Sequence, residues 1–153
     1  MIPRYKIPEI EKIWSDENKF KIWTEIECLI AEQLSKIGKI PKKAAKEIKS
    51  KAKFNIKEIE RIEKDTKHDF VAYINNVSSY IGESSKYFHY GVTSSDIIDT
   101  CFSVQLRDTG NILLTQLNNL VKILKKQSLK YKNTLMIGRS HGIHAEPITF
   151  GLK

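Results

Sequence analysis

The 153-residue sequence predicts an all-α protein, with a small N-terminal helical domain leading into the first long helix of a central helical bundle. Three observations predict it. Apolar residues recur at three- and four-residue steps through most of the chain, the period of a helix buried along one face. Glycine or proline stands at the ends of most of these runs. No alternating apolar–polar stretch of useful strand length occurs, and there is no repeat or serine- or glycine-rich linker. The expected domains are residues 1–92, the helical domain, and residues 93–153, the truncated start of the bundle.

The elements follow in order. From Ser15 to Ile37, the residues Trp23, Ile26, Ile30, Leu34 and Ile37 form one stripe, and Gly38 stops it. Pro41 opens a short lysine-rich helix, and Ile56, Ile59 and Ile62 mark another. Phe70, Ile74, Val77 and Ile81 make a clean stripe ended by Gly82. The largest element runs from about Asp96 to Lys132, with Ile98, Phe102, Leu106, Leu113, Leu117, Leu120 and Leu124 on one face. Gly110 interrupts it at a cost near 1 kcal/mol, which the apolar contacts absorb. At 1.5 Å per residue that helix is roughly 55 Å long. A compact domain of this size is only about 40 Å across. The stripe is therefore expected to need a partner over Leu117, Leu120 and Leu124.

Composition bounds the function classes. A 41% hydrophobic and 29% charged content is that of a globular protein with a real core. No run approaches the eighteen or so apolar residues of a membrane span. The start, MIPRYKIPEIEK, lacks the apolar core of a signal peptide. Cys28 and Cys101 sit in apolar helical patterns and read as small buried thiols in a reducing compartment. The cytoplasm is the expected location, and no membrane partner is expected. The net charge of +8 raises the question of nucleic acid. Eight lysines fall between Lys36 and Lys53, opposed only by Glu47, yet only four of 26 basic residues are arginine and few aromatics are interleaved. That is a solvated lysine face rather than a nucleic-acid surface, and it helps attract an anionic small molecule.

The polar chemistry gathers around the histidines. His68 lies in DTKHDF, His89 in FHYGVTSSD, and His141 and His144 in GRSHGIHAEP. Thr66 and Asp69 stand three apart just before the Phe70 stripe, and Thr93 and Asp96 three apart just before the long helix. Each pair has the spacing of a capping box, which fixes a helix N-terminus. Pro147 suits a first-turn position and predicts a third helix start after the His141 loop. Helix N-termini present unpaired N–H groups and partial positive charge, which suit carboxylates and phosphates. The coincidence points to a polyanionic small molecule held by histidines, hydroxyls and backbone. Zinc at His141, His144 and Glu146 is disfavoured, because the flanking glycines and Pro147 oppose the helix that would align the two imidazoles. Acid–base work is the better use of a histidine near neutral pH.

Four segments carry a family resemblance: RY at 4–5, KHD at 67–69, HYGVTSSD at 89–96 and GRSHGIHAEPITFGLK at 138–153. In order and spacing they resemble the adenylosuccinate lyases of the fumarase/aspartase superfamily, over a length that matches the N-terminal third of such an enzyme. The resemblance implies a β-elimination that releases fumarate, from adenylosuccinate to leave AMP and from the succinyl-aminoimidazole-carboxamide ribotide of purine biosynthesis. It implies no metal or organic cofactor, a nucleotide substrate and a homotetramer. By the same resemblance His141 is the general acid that protonates the departing nitrogen, and His68 assists, flanked by Lys67 and Asp69. Thr93 and Ser94 hold a succinyl carboxylate, Arg4 and Tyr5 bind the nucleotide part, and His89 contacts its phosphate end. The family's proton-abstracting serine lies downstream of Lys153, so the 153-residue chain alone is expected to be inactive. Two other readings remain open on the sequence. One is a related fumarate-releasing lyase, such as argininosuccinate lyase. The other is a non-catalytic basic helical binding module.

Overall fold

The structure, a computed structural model, describes residues 2–153. Six α-helices dominate it: α1 Pro8–Ile13, α2 Asp16–Lys36, α3 Lys42–Lys51, α4 Ile56–Thr66, α5 Asp69–Ile81 and α6 Ser94–Lys130. Short 3-10 turns cover Pro3–Tyr5 and Gly82–Tyr87, and two strands follow α6, β1 Leu135–Ser140 and β2 Ile143–Thr149. Among the described residues, no helix is long and apolar enough to cross a membrane. The chain divides into two compact units, the first ending at Asp108 and the second running from Thr109 to Lys153.

In the first unit α2 and α4 each start at a short polar side chain that accepts a backbone N–H of the first turn. The Ser15 hydroxyl accepts from the Asn18 N–H at 3.2 Å, and the Asn55 side chain accepts from Glu58 N–H at 3.1 Å. The apolar stripes then converge. Phe20, Trp23, Ile48, Ile59, Phe70, Tyr73, Val77, Ile81, Phe88 and Ile97 are buried in one core. Tyr73 stacks on Phe20 with ring centroids 5.7 Å apart, and Trp23 packs against Phe70 at 4.9 Å. Buried polar groups tie the helices together. The Asn76 side chain accepts from the Asn55 N–H at 2.9 Å, so α5 helps fix the start of α4. The Gln105 amide donates to the Ile13 carbonyl at 2.8 Å, which fixes α6 to the end of α1.

The start of α6 does not bury the predicted face. Ile97, Cys101 and Gln105 enter the core, whereas Phe102 and Leu106 are exposed. The buried residues are spaced by four, like the predicted ones, but lie one position earlier on the helix. Cys101 is a buried thiol as expected. Cys28 is only partly buried, and burial together with the neighbouring Glu27 charge pushes its thiol up to about 11.

Among the described residues, both β-strands belong to the second unit. β1 and β2 form an antiparallel hairpin in which Ser140 pairs with Ile143. The turn residues His141 and Gly142 have φ of 51° and 78°, the left-handed pair that a two-residue type I′ connection requires. The register shifts between Ile137 and Arg139, where a bulge adds one residue to β2. Pro147 lies in β2 opposite Ile137 and starts no helix. Lacking an N–H, it is tolerated beside the bulge of a two-stranded sheet. At the C-terminus Gly151 packs directly on the end of α6: its N–H donates to Tyr131 at 2.9 Å, and its carbonyl accepts from the Ser128 hydroxyl at 2.8 Å.

Candidate functional site

A cavity of about 290 Å³ in the first unit is lined by His68, Phe70, Val71, Ile74, His89, Val92, Thr93 and Ser94. It gathers four of the predicted site residues, His68, His89, Thr93 and Ser94, from two segments twenty residues apart. Each segment is the start of a helix, so two helix N-termini border one small space. One wall, formed by Phe70, Val71, Ile74 and Val92, is apolar. The polar groups therefore sit beside low-polarity surface, where electrostatic interactions are strengthened.

His68 is the N-cap of α5. Its Nδ1 accepts from the Val71 N–H at 3.4 Å, while the Thr66 hydroxyl donates to the His68 carbonyl at 3.2 Å. The expected capping box of Thr66 and Asp69 does not form, because α4 continues through Thr66 before the chain turns and His68 is the cap instead. Lys67 makes that turn with φ of 55°. Asp69 accepts from the Phe70 N–H at 2.7 Å and lies 3.4 Å from His68 Nδ1. Lys67 and Asp69 thus flank His68 and are absent from the cavity lining.

The Thr93–Asp96 pair does act as a cap. The Asp96 carboxylate accepts from the Thr93 N–H at 2.8 Å, and the Thr93 carbonyl accepts from the Asp96 N–H at 3.0 Å. With Asp96 turned back onto Thr93, the first turn of α6 is held at the cavity edge with Thr93 and Ser94 in its wall.

His89 is the most firmly held of the histidines. Its backbone N–H donates to Glu27 Oε2 at 3.1 Å, and its Nδ1 lies 2.6 Å from Glu27 Oε1. The imidazole packs against Phe70 with ring centroids 4.9 Å apart. Burial raises the Glu27 carboxyl above the ordinary carboxylate range, opposed by its contacts with His89. Glu27 carries little signal in the sequence, because a lone glutamate in an amphipathic helix looks like a solvated residue. Its place on the α2 stripe, four residues after Trp23 and four before Ala31, is the signal that marks it as buried.

Arg4 and Tyr5 lie in the N-terminal 3-10 turn, outside this cavity. The Arg4 guanidinium donates to the Tyr5 hydroxyl at 3.2 Å and sits 5.0 Å from the centre of its ring. Tyr5 also lines a separate hollow of about 500 Å³ with Ile7, Ile10 and Trp14. His141 belongs to the second unit, where it is exposed at the hairpin tip beside Gly142.

Comparison with known proteins places these features in a family context. A family model described as lyase matches residues 4–153. The adenylosuccinate lyase of Bacillus subtilis is 48% identical over all 153 residues, and that of Synechocystis sp. is 44% identical over the same span. The chain spans 36% of the length of each of these relatives. The crystal structure of a fumarate lyase from Mesorhizobium sp. BNC1 superposes with a TM-score of 0.86 at 26% identity, covering 94% of this chain and 35% of that one.

Proposed function

The chain belongs to this lyase family, and from that premise we propose that it is the N-terminal portion of an adenylosuccinate lyase. The reaction is the elimination of fumarate from adenylosuccinate to give AMP, and from the succinyl-aminoimidazole-carboxamide ribotide in purine biosynthesis. A proton leaves the succinyl carbon, the C–N bond breaks, and the amino nitrogen departs with a proton supplied by His141. The base that takes the carbon-bound proton belongs to the part of the enzyme this chain does not span. His68, flanked by Lys67 and Asp69, assists at the reacting end, Thr93 and Ser94 bind a succinyl carboxylate, His89 binds the phosphate end, and Arg4 and Tyr5 bind the nucleotide part. Residues 1–92 form the helical domain and residues 93–153 begin the bundle of a cytoplasmic homotetramer.

The observation that carries this reading is the cavity where the starts of α5 and α6 meet around two histidines. Helix N-termini carry partial positive charge, and two of them beside imidazoles and hydroxyls suit an anion with several charged oxygens. Identity of 44–48% to adenylosuccinate lyases supports that substrate over argininosuccinate. The discriminating experiment offers both substrates to the full-length protein and follows fumarate. Release from adenylosuccinate alone is expected; release from argininosuccinate alone transfers the assignment to the related lyase.

A further inference from the structure

Glu27 lies in the middle of α2 and is 1% exposed. A carboxylate this deep in a helical core destabilises the fold unless its oxygens are paired. Both partners come from one residue, His89, through its backbone N–H and its ring Nδ1. His89 adopts φ of 60°, a left-handed conformation that few non-glycine residues take, and one that persists only where its surroundings hold it. Glu27 grips one edge of the imidazole and the Phe70 ring packs against it at a tilt of 53°. The side chain keeps 21% exposure and lines the cavity beside Thr93 and Ser94.

The proton between Glu27 and His89 has two possible homes. It can sit on Nδ1 and be donated to the carboxylate, or sit on Oε1 and be donated to the ring. Imidazole is ordinarily the stronger base, at about 6.5 against about 4.3 for a glutamate. The His89 backbone N–H, already donating to Oε2, further stabilises the ionised carboxylate. Burial raises the Glu27 carboxyl, and both facts act against it, in favour of the proton on Nδ1. A ring pinned in this way has Nε2 as its remaining polar atom. With both nitrogens protonated, a carboxylate on one side and an anion on the other stabilise the same imidazolium.

We propose that Glu27 is a positioning residue for His89, holding its Nδ1–H so that Nε2, protonated in the imidazolium, donates to an anionic group of the ligand in the cavity. The adenylosuccinate reading supplies only the identity of that anion, the phosphate end of the nucleotide. Glu27 itself touches no ligand.

Two measurements test the proposal. In protein labelled with 15N-histidine, long-range 1H–15N spectra at neutral pH should show His89 Nδ1 carrying a proton. A bare Nδ1, with the proton on Nε2 alone, overturns the proposal without any variant. In the full-length protein, Glu27→Gln should raise KM for adenylosuccinate about tenfold or more, the effect of weakening one charge-assisted hydrogen bond, while kcat changes little. Added to His89→Ala, the same substitution should raise KM no further, since Glu27 acts only through that ring. Equal, additive effects in both backgrounds would make Glu27 a packing residue and overturn the proposal. If the wild-type protein leaves adenylosuccinate untouched, the functional reading fails, and the state of Nδ1 alone decides the role of Glu27.

Discussion

His68 caps α5 with a ring nitrogen where a hydroxyl or carboxylate is the usual choice, so its capping role can be tested apart from its proposed role in proton transfer. Asparagine is a good cap but moves no proton near neutral pH. His68→Asn should therefore keep the thermal stability of the wild type, while His68→Ala loses about 0.5–1 kcal/mol. Both variants should lose turnover if the imidazole serves chemistry; an active His68→Asn enzyme would reduce the residue to a cap. Glu27 yields a second prediction at this scale. Its carboxyl is raised in the fold, so the folded state holds a proton that the unfolded state releases. The unfolded chain then binds fewer protons, and stability falls as pH rises from the ordinary value of 4.5 through the raised folded value. Denaturant titrations should show wild type weakening relative to Glu27→Gln across that window. Parallel pH profiles for the two proteins would contradict this. Neither His68 as a cap nor Glu27 as a partner was legible in the sequence, because both depend on where the chain turns and what it meets sixty residues away.

Helical period made most elements legible. The stripes over Ser15–Ile37, Ile56–Ile62 and Phe70–Ile81 correspond to α2, α4 and α5, because each packs apolar residues at helical spacing on the common core, although α2 also buries Glu27 and α5 Asn76. The hairpin was not legible. Its strands lack alternation, since β1 and β2 are exposed or half-buried along their whole length. The remaining signal is the His141–Gly142 pair, which fills a turn that usually takes Asn-Gly. A Gly142→Val substitution places a β-branched residue at φ of 78°, a strained conformation worth roughly 1–3 kcal/mol. It should reduce turnover by displacing His141, with the helical core intact by circular dichroism. Gly151 makes a similar case: a Cβ there would lie 2.3 Å from the Ser128 carbonyl and 2.7 Å from the Lys132 backbone. Backbone has no rotamer to retreat into, so Gly151→Ala should cost about 1–3 kcal/mol and free the C-terminal residues from α6 in hydrogen exchange. Exchange identical to wild type would show that the contact is dispensable.

At the scale of the whole molecule, α6 carries more apolar surface than its own chain covers. Leu113, Leu117, Leu120, Leu124 and Leu129 are each 50% exposed or more, and we propose that a partner covers this stripe in the full-length protein. In the full-length protein, Leu117→Asp with Leu120→Asp should lower the oligomeric state seen by light scattering, whereas an unchanged mass would exclude this face from assembly. The chain covers 36% of its relatives, so fumarate release should need the full-length protein and be absent from the 153-residue chain. In the proposed reaction the first-unit cavity grips the substrate and His141 supplies the proton. This division of roles is tested most directly by His141→Ala in the full-length enzyme, measuring adenylosuccinate binding by calorimetry and fumarate release by single-turnover absorbance. Binding should stay within severalfold of wild type while release slows by about 10²–10⁴-fold, the usual worth of a general acid. Release at the wild-type rate, or loss of binding with chemistry unimpaired at saturation, would contradict the account.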